Sequence, residues 1–403
     1  MTLAAAFLGW MFDGMEMGIF PLVARPALQE MQAAAGVVNE QFVQIWMGRI
    51  TAVFLLGAAA GGLLFGWLGD RIGRVRAMTW SILDYSLFTG LAYFAQAPWE
   101  LGACRFLAAL GMGGEWALGV ALVMETWPSA KRPLMASLIG VSANLGYALI
   151  AFVAIGFEIT RESWRWVMLV GASPAVLTFL IRLFVPESER WKHSVQAGPS
   201  RPFREVFTPP LLGRTLLAIS FASVALIVTW GIVQWIPLWA DQMTHGQQPK
   251  VKAYIQLVSS LGASLGCLAA PWLGARLGRR PVYFGLCLSS LVVCQVLFRS
   301  FHDYNAEFLV MVGLVGMCTA SFYGWLPQYL PELFPTRVRA TGQGLAFNFG
   351  RILAALGAWQ MGSLMQIFDK SYANAGAAIV LVYLVGMALI WFAPETKDQP
   401  LPD

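Results

Sequence analysis

The sequence predicts an all-α membrane protein of twelve transmembrane helices. They form two six-helix bundles related by a pseudo-twofold repeat, with both termini cytoplasmic. Three observations carry that expectation. Of the 403 residues, 58% are hydrophobic and only 12% charged, whereas a soluble domain carries about 25% charged residues. The apolar residues gather into runs of roughly 20, the length a helix needs to cross a bilayer. A short basic corner, Gly66-Trp67-Leu68-Gly69-Asp70-Arg71-Ile72-Gly73-Arg74-Val75-Arg76, returns as Pro271-Trp272-Leu273-Gly274-Ala275-Arg276-Leu277-Gly278-Arg279-Arg280-Pro281.

In chain order the first six spans fall at about 3–24, 43–68, 77–96, 98–124, 134–158 and 164–185. The last six fall at about 212–240, 252–274, 281–300, 305–330, 340–367 and 373–393. These runs are too long for barrel strands, and helices satisfy every backbone group internally. The N-terminus reads as the first span and not as a cleavable leader. It lacks a basic leading segment, and Asp13 and Glu16 interrupt its apolar run. The polar stretch from Pro186 reads as a cytoplasmic linker. The expected domains are therefore 1–185, a linker 186–211, and 212–403.

Orientation follows from Lys and Arg. With a cytoplasmic N-terminus, inside segments hold about twice as many basic residues as outside segments. The net charge of +5 is dispersed, so nucleic acid is not an expected partner. The five cysteines all lie in apolar runs and the three histidines are scattered. Neither set has metal-ligand spacing, so no metal, disulfide or cofactor is expected. Gly111-Met112-Gly113-Gly114 lies inside an apolar span and reads as helix packing, not a phosphate cradle. No soluble catalytic region is apparent, which argues against an enzyme.

The repeat extends past the corners. Glu125-Thr126-Trp127-Pro128 with Arg132 matches Glu332-Leu333-Phe334-Pro335 with Arg339. Pro186-Glu187-Ser188 matches Pro394-Glu395-Thr396, and Asn144-Leu145-Gly146 resembles Asn348-Phe349-Gly350. Six plus six helices in parallel repeat is a transporter plan, with substrate expected between the halves near the midplane.

Charges inside the spans need a reason, since each costs roughly 2.5–3.5 kcal/mol near the centre of a helix. Asp13 and Glu16 are three apart and share a helix face with Gly9 and Phe20. Two carboxyls in a low dielectric make a proton site, or they only fix packing. Arg105 and Glu115 fall on one face of span 4, either as a coupling pair or as a static ion pair. Arg351, deep in span 11, can hold a carboxylate through two parallel hydrogen bonds, or can pair with Asp13 or Glu16. Asn144, Tyr147, Gln234, Trp235, Tyr323, Gln328 and Asn348 are candidate substrate-binding groups of a cavity. Asp84 and Arg49 read mainly as structural.

These motifs resemble the major facilitator superfamily. Its signature between helices 2 and 3, Gly-x-x-x-Asp-Arg-x-Gly-Arg, is met at every fixed position by Gly66 to Arg74. Arg105-Phe106-Leu107 with Gly111, Gly113-Gly114-Glu115-Trp116 is similar to the helix 4 motif of the family's proton-coupled organic-acid carriers. Asp13-Gly14-Met15-Glu16 resembles Asp-Gly-x-Asp of the aromatic-acid and sialate/lactate symporters, with Glu for the second Asp. Pro186 to Trp191, Arg339 to Gly344, and Asn348 to Arg351 also resemble that branch.

The resemblance implies a proton-coupled symporter of a small organic anion, working by alternating access. The alternative is an uncoupled facilitator or a proton-driven exporter of a metabolite, sugar or drug. Asp13, Glu16, Arg105 and Glu115 would couple the proton. A cytoplasmic gate would comprise Gly66, Asp70, Arg71, Gly73, Arg74, Glu125, Arg276, Arg279, Glu332 and Arg339. In it, Asp70 would face the N-terminus of helix 11 and Arg74 would pair with Glu125. Ala275 stands where Asp70 stands, so the gate is expected to depend unequally on the two corners. The expected partners are protons, an anionic small molecule and lipid. The chain is expected to be a monomer in a bacterial inner membrane.

Overall fold

The computed structural model describes residues 2–33, 39–127, 131–174, 176, 202–335, 338–359, 367–369, 371–399 and 402. Within the helices, the side chains of Asp70, Arg71, Glu125 and Arg339 lie outside the described residues. The linker expected at 186–211 lies outside them up to 201. Its end is helical, with a short helix Pro202–Val206 and the next span starting at Pro209.

Every regular element among the described residues is helical. The first half contains α1 (Thr2–Ala33), α2 (Glu40–Ile72), α3 (Arg74–Leu91), α4 (Pro98–Thr126), α5 (Arg132–Gly156) and α6 (Trp164–Gly171). The second half contains α7 (Pro209–Met243), α8 (Val251–Leu277), α9 (Arg279–Ser300), α10 (Ala306–Leu333), α11 (Arg339–Trp359) and α12 (Tyr372–Phe392). Seven of the described helices are long and apolar enough to span a membrane: α2, α5, α7, α8, α9, α10 and α12. The other five occupy the remaining expected positions. Of these, α1, α4 and α11 carry Asp13, Glu16, Arg105, Glu115 and Arg351.

Local chemistry sets the boundaries. Asn39 caps α2, its side-chain oxygen accepting from Gln41 N at 2.9 Å. Asn305 caps α10 in the same way, accepting from Phe308 N at 2.8 Å, as short polar side chains at helix starts do. Pro98 and Pro209 sit in the first turns of α4 and α7, where a missing N–H costs nothing. Both basic corners turn on one glycine. Gly73 has φ 108° and ψ 153°, and Gly278 has φ 102° and ψ 160°. A side chain at either position would be strained. One sequence pattern therefore produces the same single-residue break twice, placing Arg74 and Arg279 at the start of the next helix.

Helix pairing repeats as well. In the first half α2 packs on α4 and α1 on α5; in the second α8 packs on α10 and α7 on α11. The seams are lined by glycine where backbones meet: Gly61 abuts the Leu110 carbonyl, and Gly266 abuts the Met317 carbonyl. Between the halves, α2 packs on α11, and α5 packs on α8 and α10. The interior between these crossings holds the polar side chains.

The two ends of the molecule are secured differently. At the face of the second corner, Arg279 makes a two-pronged contact with Glu332, at 3.0 Å from Nε and 2.7 Å from Nη2. Thr396 Oγ1 adds a hydrogen bond to Glu332 at 2.5 Å. Glu395 accepts from the backbone N–H of Arg279 (2.9 Å) and of Arg280 (3.0 Å), capping α9. Arg276 lies over Trp272. At the opposite face, Arg25 of α1 forms an ion pair with Asp241 of α7, across the halves, and another with Glu40 at 2.9 Å.

Candidate functional site

A cavity of about 120 Å³ lies between the halves, enclosed by α1, α4, α5, α7, α8, α10 and α11. Six aromatic side chains contribute to its wall. Trp116 of α4 and Phe347 of α11 stack at 4.4 Å with 14° between their planes, one ring from each half. Asn144, Tyr147, Gln234, Tyr323 and Arg351, all expected from sequence, line this cavity.

The polar groups tie the halves together. Gln234 Nε2 of α7 donates to Tyr147 OH of α5 at 2.7 Å. Gln256 Nε2 of α8 donates to the Tyr147 carbonyl at 3.1 Å. Asn144 Nδ2 donates to its own helix at Gly140 O (2.9 Å) and lies 3.5 Å from Cys267 Sγ of α8. Tyr323 OH donates to Thr229 Oγ1 at 2.9 Å, within the second half.

Arg351 is 3% exposed. It projects from α11 toward the first half. Its Nη1 donates to Asn348 Oδ1 at 3.0 Å and reaches the Ala58 and Gly113 carbonyls at 3.4 Å each. Its guanidinium lies 4.9 Å from the centre of the Phe347 ring. Among the described residues no carboxylate forms an ion pair with it. The charge of Asp13 acts on it without an ion pair. Asn348 thus holds Arg351 in place from one turn away and does not itself line the cavity.

The four charged groups of α1 and α4 sort into two pairs, and the sorting differs from the expected one. Arg105 does not pair with Glu115. Ten residues of helix place the two roughly 15 Å apart along the axis, beyond direct contact. Arg105 Nη1 instead donates to Glu16 Oε1 of α1, and Thr89 Oγ1 of α3 donates to the same oxygen at 3.1 Å. The guanidinium also lies over Phe54, 4.5 Å from the ring centre. Glu115 faces Asp13, carboxyl to carboxyl, and fits against Gly9, where a side chain would collide with Oε1. Among the described residues no donor reaches either oxygen of Asp13 or of Glu115. Two buried carboxyls can hydrogen-bond each other only if one holds a proton.

Two expected groups lie elsewhere. Trp235 is buried, donates to the Trp230 carbonyl at 3.2 Å, and borders a smaller pocket beside Arg105. A 3-10 turn, Val233–Trp235, explains this, because it points Gln234 and Trp235 in different directions. Gln328 lies near Gly274, toward the second corner. It is buried, but its helix carries it away from the cavity that Tyr323 lines.

Of the gate residues, Arg279 and Glu332 form the pair described above. This is the second-half counterpart of the expected Arg74–Glu125 contact. A side chain added at Gly66 would meet none of the described residues, Gly73 makes the corner, and Arg74 is buried. The contacts expected of Asp70, Arg71, Glu125 and Arg339 fall on side chains outside the described residues.

Sequence reasoning missed Trp116, Phe347, Gln256 and Thr89. A lone amide within span 8 could have marked Gln256 by the rule applied to Asn144. The Trp116–Phe347 stack had no signal, since aromatic residues are common throughout the chain. Thr89 is one of several hydroxyl residues of helix 3, so nothing singles it out. Asp84 of that helix lies beside Gly111, and Arg49 lies over Trp46, 5.3 Å from the ring centre.

This architecture has known counterparts. The sialic acid transporter NanX of Escherichia coli is 26% identical over 391 residues, covering 96% of this chain and 92% of its own. The 3-(3-hydroxy-phenyl)propionate transporter of Escherichia coli is 27% identical over 410 residues, covering 100% and 96%. In fold, the chain is similar to the proton:xylose symporter XylE bound to 6-bromo-6-deoxy-D-glucose. The TM-score is 0.77 at 16% identity, covering 99% of this chain and 97% of that one. The sequence pattern of the Major Facilitator Superfamily matches residues 2–358 and 251–402. Helical spans, repeated corners, a cavity between the halves and this match lead to one conclusion: the chain is an integral membrane protein of the major facilitator superfamily, a transporter and not an enzyme.

Proposed function

We propose that the protein carries a small organic anion, a carboxylate, together with protons across a bacterial inner membrane by alternating access. Both termini and the two basic corners face the cytoplasm, and the halves 1–185 and 212–403 rock about the cavity. The observation that carries this reading is Arg351. It is a permanent charge in the cavity wall, held only by an amide and weak carbonyl contacts, with no carboxylate paired to it. A substrate carboxylate can supply the missing partner through two parallel bonds. The acid pair Asp13–Glu115 stands in the first half, opposite Arg351, and supplies a site for a coupled proton, which offsets the charge of the arriving anion. Glu16 and Arg105 neutralise each other and keep the wall of the site in place. Relatives that carry sialic acid and a hydroxyphenylpropionate, both organic acids, support the choice of substrate class.

The test is uptake into proteoliposomes under an imposed pH gradient, with sialate and aromatic carboxylates as probes. Concentrative uptake by the wild type and its loss in Arg351→Gln and Asp13→Asn are expected. Uptake that ignores the gradient, with exchange surviving both substitutions, would identify a facilitator instead.

A further inference from the structure

Helix α3 presents a polar face to the acid pair. Ser81, Tyr85 and Thr89 are four apart, so they lie one above another on one side of α3. The outer two have defined partners. Ser81 Oγ donates to the Gly111 carbonyl of α4 at 2.5 Å, and Thr89 Oγ1 donates to Glu16 of α1 at 3.1 Å. Tyr85 stands between them and is fully buried. Its hydroxyl has no partner among the described residues. Glu115, then Asp13 and Glu16, are the carboxyl groups whose charge acts on it. Long helical side chains lean toward the N-terminal turn, which tilts this ring toward the level of Ser81 and Gly111. Glu115 lies one turn beyond Gly111 on α4.

An unpaired buried donor on α3 and four unpaired buried carboxyl oxygens on α1 and α4 therefore lie on helices that contact one another. An unmade buried hydrogen bond is costly, more so for a charged group. We propose that Tyr85 is the positioning residue of the proton site: its hydroxyl donates to the Asp13–Glu115 pair when the pair carries a negative charge. The proton moves between the two carboxyls and to water. Tyr85 keeps its own proton and selects the geometry of the charged form. The remaining charged groups around it are Asp84 on α3, Arg105 on α4, Glu16 on α1 and Arg351 across the cavity on α11. Glu16 and Arg105 cancel each other, which leaves the phenol as the neutral donor available to the acid pair. The consequence for transport rests on the proton-coupled reading above. The hydrogen bond itself can be tested without transport.

The carboxyl C=O infrared band of the purified protein, titrated in nanodiscs, reads the acid pair directly. Asp13→Asn and Glu115→Gln identify the band by abolishing or halving it. Tyr85→Phe removes only the hydroxyl and retains the buried ring. Losing a donor to the charged form makes the pair hold its proton more tightly. The midpoint should rise by about one pH unit, a tenfold change in proton affinity. Incorporating 3-fluorotyrosine at position 85 keeps the ring and strengthens the donor, so the midpoint should fall. An unmoved midpoint in both proteins, or shifts in the same direction, overturns the assignment. If Tyr85→Phe does not fold, the fluorinated protein alone decides. Proton-driven uptake is measured in parallel. A wild type that ignores the pH gradient refutes coupling, while the infrared midpoints still decide the role of Tyr85.

Discussion

Replacing Glu16 with Gln tests whether the Glu16–Arg105 pair is structural. Glu16 is 0% and Arg105 2% exposed at the side chain. The amide keeps an acceptor for Arg105 and Thr89, so the change removes charge and little shape. Arg105 is then a buried cation without a counterion, a defect worth about 3–5 kcal/mol. Its ring contact with Phe54 is common to both proteins and cancels. A loss of about 3–5 kcal/mol is expected. Arg105→Met alone leaves Glu16 unpaired and costs a similar amount, but that carboxyl can take up a proton. The double variant removes both charges and should be more stable than either single one, with a coupling energy of roughly 1–3 kcal/mol. Denaturant-dependent unfolding of the four proteins in one detergent measures the cycle. Single losses below about 0.5 kcal/mol that simply add in the double would refute the argument, because a desolvated ion pair cannot behave as two independent groups.

Two further outcomes follow from the ends of the molecule. Asp241→Asn should weaken the cross-half contact with Arg25 and open the face opposite the corners. A cysteine placed at Gln234 should then react faster with a membrane-impermeant thiol reagent added from that side, and an unchanged rate counts against a latch there. Glu395 is pushed upward by partial burial, but the N–H groups of Arg279, Arg280 and Lys397 outweigh this and hold its carboxyl below the usual range. Its folded value lies below its unfolded one. The stabilisation is therefore present at neutral pH and is lost as pH falls through the folded value. The melting-temperature gap between wild type and Glu395→Gln should be open at pH 7 and close in acid. A gap independent of pH would show that the carboxylate charge is not the cause.

Much of the fold was legible because membrane insertion imposes simple demands. The apolar runs, the basic corners and their repetition reappear as helices, as paired glycine turns and as matching seams in both halves. The site was legible as a set of residue types. Charges inside spans are expensive, and Asp13, Glu16, Arg105, Glu115 and Arg351 are all buried beside or between the halves. Pairing was not legible. Spacing along α4 suggested Arg105 with Glu115, yet a partner ten residues away on the same helix cannot make contact, while a neighbouring helix can.

The sequence by itself determined that the chain is helical, membrane-embedded and built twice, because hydropathy and turn chemistry are local properties. It also named Arg351 and the four charges of α1 and α4 as the groups needing a purpose. Only the tertiary structure decided who faces whom. Crossing helices joined Glu16 to Arg105, set Asp13 against Glu115 with no donor, and turned the Ser81–Tyr85–Thr89 face of α3 toward them. It also removed Trp235 and Gln328 from the cavity and brought Trp116 and Phe347 together across the halves. Such contacts depend on helix rotation and closeness of approach, which residues distant in the chain set jointly and no single stretch encodes.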